Sequence, residues 1–145
     1  MSTFKNIPIQ VDLPSPLDDT AIARSVLHHV QVLLEEFVRS GESGAIDLRQ
    51  VPLMGPDGYQ FLKQSLSAGE VSATIKSAAG RAEIQETVYP GVWWVTHRNQ
   101  KDEIVTEVIE VTDMPEILKS QREDARHGLR RLIQRLSLIE PENPD

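Results

Sequence analysis

The sequence predicts an α+β fold, with a mostly antiparallel sheet of four to five strands packed on one face by two to three helices. Apolar residues recur at helical spacing before Gly41 and after Pro115, whereas residues 69–111 alternate between apolar and polar side chains. Short breaks at Ala79-Gly80 and Pro90-Gly91 separate the alternating segments, and short connections favour antiparallel neighbours. Helices that flank a run of strands in this way are typical of the α+β class.

The first helix is preceded by a proline-containing segment. Asp18, Asp19 and Thr20 are candidates for its N-terminal cap, and Gly41 is a suitable stop. The apolar face of this helix covers nearly half of the circumference and contains Ile22, Val26, Leu27, Val30, Leu33, Leu34, Phe37 and Val38. Such a width predicts a sheet on one side of the helix and either another helix or a second subunit on the other.

The remaining elements follow in order along the chain. Residues 45–53 predict a short strand, and apolar residues between Tyr59 and Leu66 predict a second helix. Four strands rich in β-branched and aromatic residues come next. Pro115 then fits the first position of a final helix, whose apolar stripe continues to Leu136.

The length and composition bound the domain organisation. A chain of 145 residues fits one domain, and we expect that domain to cover residues 19–139. Residues 1–18 contain three prolines and predict an extended arm, while residues 140–145 predict a flexible acidic tail. The N-terminus does not resemble a secretory signal, and the apolar runs are too short for stable membrane insertion, so a cytoplasmic protein is expected.

Charge and cysteine content exclude several classes of function. The chain has no cysteine, which removes disulfides, thiolate metal sites and thiol catalysis. Its net charge of −7 argues against nucleic-acid binding. Residues 119–139 nevertheless carry six basic and two acidic side chains. This basic helix has either a solvated face or an interface with an acidic surface, such as a membrane surface, an acidic partner or a second copy of the chain.

His97 provides the one candidate for acid–base chemistry or metal binding. It lies on a predicted strand, where Glu86 on the preceding strand could approach it across a hairpin, with Glu70 as another nearby carboxylate. No nucleophile elbow, metalloprotease motif or phosphate-binding glycine pattern accompanies it. The sequence therefore predicts neither an enzyme nor a bound cofactor or metal. His97 is therefore expected to cap or bridge strands at a sheet edge, and a catalytic or metal-binding role is the alternative.

Trp93 and Trp94 are the least ordinary residues of the chain. Consecutive strand residues face opposite sides of a sheet, so one tryptophan can enter the core beneath the helices. The other must lie on the open face or be covered by another part of the protein. An exposed tryptophan on a sheet is a candidate hot spot for protein binding. Which tryptophan takes which place is left open by the sequence.

Several segments resemble the C-terminal region of HupH/HyaF-type hydrogenase expression proteins. They are GESGAIDLRQVPL (41–53), GEVSATI (69–75), GRAEIQETVYPGVWWVTH (80–97) and IEVTDMPEIL (109–118). The resemblance covers residues 20–118 with the segment order preserved, although typical members are considerably longer. On this resemblance, we expect the chain to be a stand-alone version of that module.

The resemblance implies an accessory role in nickel–iron hydrogenase maturation. Members of the family are expected to act in the cytoplasm on the small-subunit precursor, together with other maturation proteins. We therefore predict a non-enzymatic assembly chaperone that binds such a client, or alternatively a structural homo-oligomeric module such as a homodimer. The predicted protein-binding residues are Glu70, Glu86, Thr87, Pro90, Gly91, Trp93, Trp94 and His97. Gly69 and Pro115 also match positions of the family motif.

Overall fold

The structure is a computed structural model that describes residues 16–52 and 54–141. It divides into two compact units, with the boundary between Asp113 and Met114. The first unit contains two helices and five strands: α1 (Pro16–Ser40), β1 (Gly44–Asp47), α2 (Pro56–Leu66), β2 (Ser72–Ser77), β3 (Gly80–Glu86), β4 (Val92–Asn99) and β5 (Ile104–Val111). The second unit contains α3 (Arg122–Ile139).

The first unit is built around one five-stranded sheet with the strand order β1-β5-β4-β3-β2. Every neighbouring pair is antiparallel. The four strands β2–β5 form a meander, as the short connections predict, and β1 extends the sheet beside β5. Apolar side chains of α1 and α2 form one core cluster with Val92, Trp94, Ile109 and Val111 of the sheet. The predicted α+β fold and its antiparallel sheet are confirmed.

Helix α1 begins at Pro16, earlier than the predicted cap, and Asp19 has a different role from the predicted one. The Asp19 side chain is buried, and its carboxylate accepts hydrogen bonds from the amides of Gly55, at 2.6 Å, and Gly58. Gly55 and Pro56 are the N-cap and first residue of α2. Asp19 therefore caps α2 rather than α1, where its negative charge meets the positive end of the helix dipole.

The final helix starts later than predicted, so the prediction that Pro115 is its first residue is wrong. Pro115 precedes a short 3₁₀ turn over Glu116–Leu118, and the backbone is extended at Lys119 and Gln121 before α3 begins. A proline fits the start of a 3₁₀ turn as well as that of an α-helix, because both leave the first amide unpaired. None of the α3 side chains is buried, and its large apolar residues, including Leu129 and Leu132, are 40% to 79% exposed.

The predicted domain limits fall partly on residues that the structure does not describe. Residues 1–15 of the predicted arm and residues 142–145 of the predicted tail lie outside the described residues. Residues 16–18 belong to α1. The single domain over residues 19–139 stays a prediction.

Candidate functional site

The β3–β4 loop, residues 87–91, carries the central part of the motif. Thr87 is buried; its hydroxyl accepts a hydrogen bond from the Tyr89 amide at 3.1 Å and donates one to the Tyr89 carbonyl at 3.3 Å. The Val92 amide donates to the same carbonyl at 2.9 Å. Gly91 has a φ of +92°, a left-handed conformation that glycine adopts without steric cost. These hydrogen bonds hold the loop in one conformation, with Pro90 exposed.

The loop is also hydrogen-bonded to the end of α2, and the segment that joins α2 to β2 is hydrogen-bonded to the end of β3. The Val88 amide donates to the Leu66 carbonyl at 3.1 Å, and the Gly69 amide donates to the Glu86 carbonyl at 2.7 Å. A Cβ atom at Gly69 would lie 3.0 Å from the carbonyl carbon of Thr87 and closer still to its oxygen. Only glycine permits this backbone approach, which gives a physical reason for a glycine at this motif position.

Both tryptophans are buried, each with 5% of its surface exposed. Trp94 packs edge-on against Tyr59 beneath α2, whereas Trp93 lies on the opposite face of the sheet and donates from Nε1 to the Thr112 carbonyl at 3.1 Å. Of the two alternatives that the sequence left open for the second tryptophan, burial therefore holds, and neither tryptophan is an exposed hot spot. The physical reason is that both faces of β4 are buried along its first five residues, so the side chains on either face are covered.

Glu107 is a buried carboxylate on β5 that sequence reasoning missed. Its Oε2 atom accepts hydrogen bonds from the Tyr59 hydroxyl at 2.8 Å, Trp94 Nε1 at 2.8 Å and the Thr96 hydroxyl at 3.2 Å. Burial and, next, the hydrogen bond to Glu107 raise the pKa of Tyr59 above its ordinary value of 10.0. The strand alternation of β5 could have indicated Glu107. It is two residues before Ile109 and four before Val111, so all three side chains point to the same, core-facing side of the sheet.

An apolar groove lies between α1 and the β3–β4 loop. Its volume is about 670 Å³, and its apolar lining consists mainly of Leu27, Leu34, Val38, Leu66, Tyr89 and Val92. Val38 is 79% exposed and Tyr89 is 49% exposed, so both are accessible to a binding partner. Gln31 and Glu35 provide polar groups among these apolar side chains. The groove therefore joins the motif loop to a helix face that remains partly uncovered.

The broad apolar face of α1 was the sequence signal for this groove. Val26 and Val30 are buried, whereas Leu34 is only partly buried and Val38 is exposed. Val26 thus packs into the core, whereas Leu34 and Val38 line the groove. Sequence reasoning predicted a second neighbour for this face but did not connect it with Tyr89.

The predicted pairing of His97 with Glu86 is wrong. Both side chains lie on the same face of the sheet, but His97 is opposite Ala82 and Glu86 is opposite Trp93. Four residues along β3 correspond to about 13 Å, which is too far for a hydrogen bond. Glu70 is exposed before β2, near the Glu86 end of β3 rather than the His97 end. Within residues 16–52 and 54–141, no three His, Asp or Glu side chains are grouped so that they could hold a metal ion.

Comparison with known proteins identifies the family. Residues 20–139 match the model of the HupH hydrogenase expression protein, C-terminal conserved region. The chain therefore belongs to the HupH family, as its motif predicted. None of the helices in the described part of the chain is both long and apolar enough to cross a membrane.

The relatives are hydrogenase expression/formation proteins and are longer than this chain. HupQ of Azotobacter chroococcum mcd 1 is 32% identical over 121 residues, which cover 82% of this chain and 40% of HupQ. HupH of Rhodobacter capsulatus is 31% identical over 133 residues, which cover 90% of this chain and 46% of HupH. The chain thus matches less than half the length of these two relatives.

A solved structure gives a closer match in length. The hydrogenase expression protein HupH from Thiobacillus denitrificans ATCC 25259 is similar to this chain with a TM-score of 0.75 and 34% sequence identity. The match covers 81% of this chain and 96% of that chain.

Proposed function

We propose that this chain is a non-enzymatic accessory protein of nickel–iron hydrogenase maturation. In this proposal it acts in the cytoplasm as an assembly chaperone and binds a hydrogenase small-subunit precursor or another maturation protein. The family membership and the names of the relatives support a role in hydrogenase maturation. The apolar groove beside the motif loop is the single observation that supports polypeptide binding.

The groove has the properties that an apolar polypeptide segment requires. Its volume of about 670 Å³ falls within the usual range for ligand pockets and is large enough for several apolar side chains. Val38 and Tyr89 expose apolar surface that a client could cover, and burial of such surface favours binding by roughly 25 cal/mol for each Å². Glu35 and Gln31 offer hydrogen-bonding groups that could orient the bound segment.

The motif residues contribute to this site by fixing the conformation of the β3–β4 loop. Thr87, Gly91 and Gly69 fix the backbone that presents Tyr89 to the groove. Trp93 and Trp94 anchor the strand that follows the loop, since each indole N–H donates to a partner within the first unit. We therefore assign the tryptophans a positioning role and place direct client contact at Tyr89 and the exposed end of α1.

Buried carboxylates of the first unit have structural partners, which supports a binding role over catalysis. Asp19 accepts from two backbone amides of α2, and Glu107 accepts from three side-chain donors. These groups hold helices and strands in place. A homodimer remains a separate proposal, and it would need its own measurement of mass in solution by sedimentation.

Two exposed valines of α1 provide a matched test of the proposed site. Val38 lines the groove, whereas Val32 is 58% exposed and does not line it. We expect Val38→Asp to reduce both the hydrogenase activity of the producing cells and the recovery of a hydrogenase subunit with the tagged protein. Val32→Asp should leave both unchanged, because surface substitutions of this kind alter stability by less than about 0.5 kcal/mol.

If the tagged wild-type protein retrieves neither a hydrogenase subunit nor a maturation protein from hydrogenase-producing cells, the proposed function is contradicted. Equal effects of the two valine substitutions would instead contradict the location of the site while leaving the function in place.

A further inference from the structure

A second cleft lies between α2 and β3 and differs from the apolar groove in its chemistry. Its volume is about 460 Å³, and its lining includes Gln60, Lys63, Gln64, Glu83, Gln85 and Trp94. Gln60, Lys63 and Gln64 are spaced three and four residues apart, so they share one face of α2. The cleft therefore combines one ammonium group and one carboxylate with several amides.

Lys63 is held above an aromatic platform. Its Nζ atom lies 5.2 Å from the ring centroid of Trp94 and 5.8 Å from that of Tyr59. The two rings are themselves fixed, because the Tyr59 hydroxyl and Trp94 Nε1 both donate to Glu107 at 2.8 Å. The ammonium group is thus positioned by cation–π contacts and remains accessible on an exposed side chain.

The acidic side chain of the cleft is already neutralised by arginines. Glu83 accepts from Arg98 Nε at 2.8 Å and lies 3.5 Å from Arg81 Nε. The hydrogen bond from Arg98 is the main cause that lowers the pKa of Glu83 below its ordinary value. Lys63, in contrast, forms no ion pair with any residue of the described part of the chain, Glu107 included. It is available for an anionic ligand.

The amides of the cleft complete a site for a small anion. Gln85 Nε2 donates to the carbonyls of Glu86, at 2.8 Å, and of Gly69 and Val71, both at 3.3 Å, so this side chain is fixed in place. The amides of Gln60 and Gln64 lie on the same helix face as Lys63 and can donate to a ligand oxygen. Because Glu83 is paired with Arg98 and Arg81, Lys63 is the one cation of the cleft beside the donors Gln60 and Gln64. One cation suits the single charge of a carboxylate, whereas phosphate sites favour several cations.

We propose that this cleft binds the C-terminal carboxylate group of a polypeptide. Lys63 forms the ion pair, and Gln60 and Gln64 donate hydrogen bonds to the carboxylate oxygens. This inference goes beyond the proposed function, since it concerns a separate cleft. It can be tested without a hydrogenase client, so its failure would leave the proposed function untouched.

Nuclear magnetic resonance titrations provide the test. Three probes are added to the full chain: acetyl-tetraalanine with a free C-terminal carboxylate, the same peptide with a C-terminal amide, and inorganic phosphate. We expect the free carboxylate alone to shift the indole N–H signal of Trp94 and the Lys63 side-chain signals in a saturable manner. We also expect added salt to weaken this binding, because the ion pair is partly exposed to solvent.

Substitutions of lysine identify the cation. Lys63→Gln should weaken binding of the carboxylate peptide about fivefold, and Lys63→Arg should restore most of it. Lys76→Gln removes an equal charge from exposed β2 and should leave binding unchanged. The proposal is overturned if no probe binds, if the amide peptide or phosphate binds at least as well as the carboxylate peptide, or if Lys63→Gln binds like the wild type.

Discussion

The hydrogen bonds of Asp19 predict a large loss of stability when its carboxylate is removed. The carboxylate is buried and accepts from two amides at the start of α2, those of Gly55 and Gly58. Hydrogen bonds to charged groups contribute about 1.5–3 kcal/mol each, although water will replace part of that contribution at the partly buried Gly55 amide. We therefore expect Asp19→Ala to lower the free energy of unfolding by about 3 kcal/mol, or the melting temperature by roughly 10 °C.

Urea unfolding followed by tryptophan fluorescence measures this loss, since both tryptophans lie in the first unit. Asp57→Ala is the matched control, because Asp57 is an acidic residue in the first turn of α2 but is exposed. An exposed charge at a helix terminus contributes only about 0.5 kcal/mol. If Asp19→Ala and Asp57→Ala lower the stability by the same small amount, the assignment of Asp19 as the cap of α2 is refuted.

Three further predictions concern the loop and the polar cluster. Gly69→Ala should destabilise the protein by more than 1 kcal/mol in urea unfolding, because its Cβ would contact the Thr87 carbonyl group. Glu107→Gln should cost about 2–4 kcal/mol by the same measurement and shift the Trp94 emission, since three donors lose a charged acceptor. Because the pKa of Tyr59 is raised in the folded state, the tyrosine ionises first in the unfolded state as the pH rises above 10. The contribution of the neutral Tyr59 side chain to stability is therefore complete below pH 10 and should be lost above it. Tyr59→Phe should remove that part of the alkaline decrease; an unchanged decrease would contradict the burial argument.

The local patterns of the sequence predicted the elements but not their long-range partners. The alternation in β2–β5 depends on neighbouring residues and therefore predicted the meander. Asp19 had the residue type and position of a cap for α1, yet the amides that it caps are 36 and 39 residues away. Similarly, the helical pattern around Pro115 did not distinguish a 3₁₀ turn followed by extended residues from a continuous helix.

The candidate site was predicted in part for the same reason. The motif located the β3–β4 loop, and the broad apolar face of α1 indicated a second neighbour. Neither pattern could show that Tyr89 faces that helix, because the contact depends on how the loop packs. The alternation of a strand places Trp93 and Trp94 on opposite faces, but it does not reveal whether both faces are covered. Exposure is a property of the complete fold.

The most direct test of the central claim is a binding titration between the purified chain and a purified hydrogenase small-subunit precursor. Polypeptide binding in the apolar groove predicts saturable binding that Val38→Asp weakens about tenfold or more, because Val38 is the most exposed apolar side chain of the groove. Val32→Asp should bind like the wild type. Wild-type affinity in both variants would contradict the groove as the binding site, and the absence of binding by the wild-type protein would contradict this precursor as its client.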